Sequence, residues 1–150
     1  MSQPAPDVVA ARLGVTARDL PPRLASACVE AGGFVYTSGH TSPTTGQAGA
    51  DLELAEVVAA ARESIIEMLS GVLSTRGTLN DLDVVKLLGC VNAAPGFVDH
   101  PEVLNEASRV MIEVFGPERG AHARSALGFS SLPAGAAVEI EAIFRIVGEA

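Results

Sequence analysis

The stretch from His122 to Ile146 constrains this chain most, because it contains two short runs with a strict two-residue period. In the second run Val138, Ile140, Ala142, Phe144 and Ile146 alternate with Glu139, Glu141, Ile143 and Arg145, the pattern of a half-buried strand. In the first, Ser125, Leu127 and Phe129 alternate with Arg124, Ala126 and Gly128. Between them Ser130 to Ala136 carries Pro133 and Gly135, residues that punctuate a turn. The simplest reading pairs the two runs as a hairpin. Its apolar sets then share one face, and Arg124, Glu139 and Glu141 share the other. A guanidinium among the small neighbours Ala126 and Gly128, with carboxylates on the next strand, makes the floor of a pocket.

Upstream, the period identifies the elements that surround this pair. Asp7 to Leu13 is a short helix entered by Pro6 and left at Gly14. Ala25–Glu30 and Gly33–Ser38 read as strands around the turn Ala31-Gly32-Gly33. Gly39 to Gly49 reads as a loop. From Asp51 to Leu73 the period lengthens to that of a helix, with Leu54, Val57, Val58, Ala61, Ile65, Met68, Leu69 and Val72 on one stripe. Leu82 to Val91 reads as a central strand, and Pro101 to Phe115 as a second long helix. The order is ββαβαββ, predicting an α+β fold with one sheet and both helices on one face. The strands are too apolar for the other face to meet water, so self-association is the expected cover.

The chain carries ten Lys and Arg against eighteen Asp and Glu, a formal charge of −8, and five Phe, one Tyr and no Trp. A nucleic-acid binder presents a basic stripe and stacking aromatics; this balance argues against polyanionic partners but leaves room for a small anion held by one arginine. No apolar run approaches a membrane span, and the N-terminus lacks a basic start and apolar signal core, so a cytoplasmic protein is expected. Cys28 and Cys90 lack metal-ligand spacing and read as free thiols. No metal site is expected.

The motifs themselves resemble a known family. Arg124-Ser125, a short strand, Leu132-Pro133, and Val138-Glu139-Ile140-Glu141-Ala142 are similar to the signature of the RidA (YjgF) family. The likeness extends through Tyr36-Thr37-Ser38-Gly39, Asp83-Val84-Val85-Lys86 and Asn105. It covers the chain from about Pro21 onward, leaving residues 1–20 as a helical extension of one domain spanning 1–150. The resemblance implies a chorismate-mutase-like fold, a homotrimer with clefts between subunits, and a cofactor-free hydrolytic deaminase of small enamines or imines. In that reading Arg124 holds the substrate carboxylate and Glu139 positions the attacking water. Ser38, Asn105, His40 and His122 stand near the cleft, and no metal takes part.

Two departures from the family pattern bear on activity. The aromatic residue that closes over the substrate falls on Ala25, and the cysteine two positions after the arginine is Ala126. Phe97 is the candidate replacement lid. A non-catalytic trimer that holds a small carboxylate metabolite is therefore the alternative reading. A nuclease or translation-inhibitor role, attached to some members, conflicts with the acidic charge.

Overall fold

A computed structural model describes residues 3–148. A short helix α1 (Pro6–Arg12) precedes the hairpin β1 (Cys28–Ala31) and β2 (Phe34–Thr37), followed by β3 (His40–Thr41). Next come α2 (Leu54–Arg76), β4 (Leu82–Asn92), α3 (His100–Arg119), β5 (Ala123–Phe129) and β6 (Val138–Ile146). The expected elements are present, with one addition. The segment read as a loop after Gly39 contains β3, two residues that pair with Ile140 and Glu139 of β6. Two residues are too short a run for alternation to reveal.

The sheet order is β1-β2-β6-β4-β5, with β3 beside β6. β5 and β6 are consecutive in sequence but do not pair; β4 lies between them, antiparallel to β6 and parallel to β5. This overturns the expected hairpin. β4 is eleven residues long with Leu82, Val84, Leu87 and Val91 buried, and such a strand needs a partner on each side to pair its backbone groups. α3 supplies the long crossover that a parallel β4–β5 pair requires. The link from β5 back to β6 then passes over the end of β4. There Asn92 donates from its backbone N–H to Ala137 O and from Nδ2 to Ala136 O.

That exchange also redistributes the faces. Arg124 is in register with Leu87, and Leu87 with Ala142, whereas Ser125 aligns with Leu88 and Glu141, and Leu127 with Cys90 and Glu139. Arg124, Ala126 and Gly128 therefore lie on the helix-covered face. Glu139 and Glu141 lie on the open face with Ser125, Leu127 and Phe129. The alternation within each strand is as the sequence indicates; the partnership, and so the sharing of faces, is not.

The core lies between the sheet and α2 and α3, filled by Ile65, Met68, Leu69, Leu87, Leu104, Met111, Ile140 and Phe144, all fully buried. At Gly89 a Cβ would overlap the side chain of Leu104, so glycine lets α3 settle directly onto β4. Glu53 and Glu56 form a capping box at the start of α2, and Gly77 ends it at φ 85°. α3 bends at Gly116, φ 85°, with Pro117 following, which delivers the chain to β5 at Ala123. The open face of the sheet carries Val29, Tyr36, Leu127 and Phe129, each more than two-fifths exposed. Among the described residues no helix is long and apolar enough to cross a membrane.

Candidate functional site

The residues singled out in the sequence fall into three places. Arg124, on the sheet's edge strand, reaches across to α3. Its Nη1 donates to Asn105 Oδ1 at 3.1 Å and to Ser108 Oγ at 3.0 Å, and its Nη2 approaches Pro101 O at 3.5 Å. The side chain is half-buried, and among the described residues no carboxylate lies within ion-pair distance of it. The cross-strand pair with Glu139 or Glu141 that the hairpin reading allowed is thus excluded within one chain. Three neutral acceptors orient a planar cation without cancelling its charge, which leaves it competent to bind an external anion through its fork.

His122 joins this cluster. Its Nδ1 lies 2.6 Å from Gly120 O and its Nε2 lies 3.0 Å from Ser108 Oγ. The carbonyl can only accept, so Nδ1 carries the proton. Sequence reasoning did not select Ser108. It stands one turn after Asn105, and the only available signal was that three-residue helical spacing. Asn105, Ser108, Arg109, Ile112 and Glu113 line an open groove of about 430 Å³ beside the cluster.

Ser38 and His40 lie elsewhere, in a cavity of about 500 Å³ between the segment before β1 and α2. Ser38 Oγ donates to Ser26 O at 2.6 Å, and His40 Nδ1 donates to Ser38 O at 2.8 Å. Burial pushes the His40 imidazole below its ordinary value, despite the Ser38 carbonyl. Gly71 faces it closely enough that a Cβ there would overlap the ring. Ala25 lines this same cavity, as do Arg23 and the ion pair Arg18–Glu67 at 2.8 Å.

Glu139 occupies the third place. Its carboxylate lies against Gly39, where a Cβ would collide with it. Burial and the neighbouring Glu141 raise its carboxyl above the usual range. Cys90, beside it on the open face, is pushed up to about 11 by burial and by the two carboxylates, which makes it a poor thiolate. Phe97 packs edge-on to His100 with ring centres 5.3 Å apart and presses on Gly49. It stands at the entry to α3, apart from Ser38 and His40. One chain therefore brings Arg124, Asn105 and His122 together, and separates them from Ser38 and His40 and from Glu139.

This architecture and residue set define a small α+β protein of the YjgF type. The profile described as endoribonuclease L-PSP matches residues 20–146, and the chain belongs to that family, the RidA/YjgF family that its motifs resemble. Protein TCP17 of Trypanosoma cruzi is 43% identical over 103 residues, 68% of this chain and 64% of its own length, so the match spans just under two thirds of that relative. The crystal structure of Atu1372 from Agrobacterium tumefaciens, a protein of unknown function, is 34% identical with a TM-score of 0.84, covering 95% of this chain and 96% of its own. The YjgF gene product of E. coli superposes with a TM-score of 0.57 at 24% identity, over 88% and 93% of the two chains.

Proposed function

We propose that the protein is a hydrolytic deaminase of small enamine or imine acids of the 2-aminoacrylate type, releasing ammonia and a 2-keto acid. The observation that carries this reading is the Arg124 guanidinium, half-buried, oriented by Asn105 and Ser108, and without a carboxylate partner among the described residues. Such a cation recognises a carboxylate bidentately. Hydrolysis then needs a water beside the electrophilic carbon and a proton acceptor within reach. Glu139 suits that task, since its raised carboxyl is a better proton acceptor than an ordinary one. No cofactor is called for, because the tautomerised substrate is already an electrophile.

Arg124 and Glu139 lie on opposite faces of one sheet, so the reading requires a second subunit to bring such groups together. A homotrimer with clefts between subunits provides this, and the exposed Val29, Tyr36, Leu127 and Phe129 give it an apolar surface to bury. A second reading is a trimer that binds a small carboxylate metabolite without chemistry. The small residue at Ala25, in the wall beside Ser38 and His40, favours it.

Enzymatically generated 2-aminoacrylate, scored for pyruvate release, separates the two. Acceleration that disappears in both Arg124→Ala and Glu139→Gln supports the deaminase. Saturable pyruvate binding without acceleration leaves the binder.

A further inference from the structure

Arg124, Ser108, His122 and Gly120 form a hydrogen-bonded chain whose direction is fixed at one end. Gly120 O accepts, so His122 Nδ1–H donates; Arg124 Nη1–H donates to Ser108 Oγ. The bond between Ser108 Oγ and His122 Nε2, 3.0 Å long, is the one link that can run either way. With a neutral imidazole, the serine hydroxyl proton is spent on Nε2. With a protonated imidazole, Nε2–H donates to Oγ, which accepts from both His122 and Arg124 through its two lone pairs. The hydroxyl proton is then free to turn into the groove that Ser108 lines.

We infer that Ser108 and His122 complete the anion anchor, and that an acid binding beside Arg124 takes up a proton from solvent onto His122 Nε2. That proton redirects the Ser108 hydroxyl toward the bound carboxylate, and no covalent bond is made or broken. This rests on the reading of Arg124 as a carboxylate anchor and adds Ser108 and His122 as its positioning residues. Arg124 on β5 reaches the same Ser108 hydroxyl as the imidazole, and Arg109 and Glu113 of α3 line the groove with Ser108. Lys86 of β4, opposite Ala123, is turned to the other face, where its Nζ donates to Ser125 Oγ. An incoming carboxylate compensates the second cation that protonation creates beside Arg124. Proton and ligand therefore assist each other's binding, and linkage makes the effect reciprocal.

Calorimetric titration of the full-length protein with pyruvate, at one pH in buffers of different ionisation enthalpy, counts the protons taken up per site. Wild type should take up a measurable fraction of a proton, and His122→Phe none. Ser108→Ala should bind pyruvate roughly ten- to a hundredfold more weakly, the loss of one hydrogen bond to a charged partner, and should lose the uptake. Ser108→Thr, which keeps the hydroxyl, should retain both. Pyruvate binding that depends on Arg124 but shows no proton uptake, or the same uptake in His122→Phe, overturns the inference and leaves the anchor standing. Pyruvate binding that is absent, or indifferent to Arg124→Ala, removes the anchor reading and this one with it.

Discussion

Arg76 and Arg124 place the same side chain in two opposite circumstances. Arg76, at the end of α2, is only 7% exposed and is clasped by carboxylates, with Nη1 and Nη2 on the two oxygens of Asp81 at 2.8 and 2.9 Å and Nε on Glu30. The hydrogen bonds to Asp81 are the main cause that raises its affinity for its proton still further. Arg124 has a hydroxyl, an amide oxygen and a peptide carbonyl. A guanidinium whose charge is neutralised inside the chain ties elements together, here α2 to the turn before β4. One held by neutral groups keeps its charge uncompensated within the chain. The partners, not the burial, separate the two arginines.

The sharpest way to break this contrast is to remove each arginine in turn. Arg76→Ala leaves Asp81 half-enclosed without its counter-charge and should cost about 1.5–3 kcal/mol of stability, the scale for losing hydrogen bonds to a charged group, with pyruvate affinity of the folded fraction unchanged. Arg124→Ala should do the reverse. It removes a charge-assisted, bidentate contact and should weaken carboxylate binding by about 1.5–3 kcal/mol, roughly ten- to a hundredfold, while denaturant midpoints move little. Arg124→Lys should restore only part of the affinity, because an ammonium lacks the fork. If Arg124→Ala lowers the melting temperature and leaves affinity intact, the two arginines are the same kind of residue and the contrast fails.

The elements that decide this were unevenly legible in the sequence. The amphipathic stripe of α2, the alternation of β5 and β6, and Arg124 as the principal cation all follow from local period and residue type. Which strand stands beside which does not. The insertion of β4 between β5 and β6 depends on a crossover through α3, a non-local pairing that alternation cannot encode. Because a strand's two faces look alike from within, the right periodicity still assigned Arg124 to the wrong face. Ser108 was invisible for a related reason. A serine within a helix carries no signal until the fold sets it opposite a histidine 14 residues and an arginine 16 residues further along the chain, closed by the bend at Gly116.

A smaller effect sharpens the contrast from the side of the cavity. Ala25 lines the space shared by Ser38 and His40, and a phenol there adds apolar wall without altering charge. Ala25→Tyr should tighten binding of a small planar acid severalfold, on the order of 1 kcal/mol for an added aromatic contact, if this cavity meets the Arg124 cluster of a neighbouring subunit. Unchanged or weaker affinity in a titration would mean that the cavity and the cluster do not share a ligand.

The smallest effect extends the comparison to the carboxylates. Asp81 is held below its usual range chiefly by the hydrogen bonds from Arg76. Glu139 is held above it by burial and by Glu141. Their contributions to stability therefore run oppositely with pH. A depressed carboxyl stabilises the fold above its unfolded value of about 3.9 and loses that contribution as pH falls through the folded one. A raised carboxyl is most favourable to folding below its unfolded value of about 4.3 and becomes a cost as pH rises through the folded one. Glu139→Gln removes that cost, so it should raise stability slightly at neutral pH, by less than about 1 kcal/mol given solvent screening, and with it the melting temperature, and leave both unchanged near pH 4. Asp81→Asn should lower both at neutral pH, with the difference from wild type shrinking as pH falls below about 4. A Glu139→Gln variant that is less stable than wild type at neutral pH would mean that this carboxylate has a partner after all, and that it belongs with Asp81 rather than with the groups left open for a ligand.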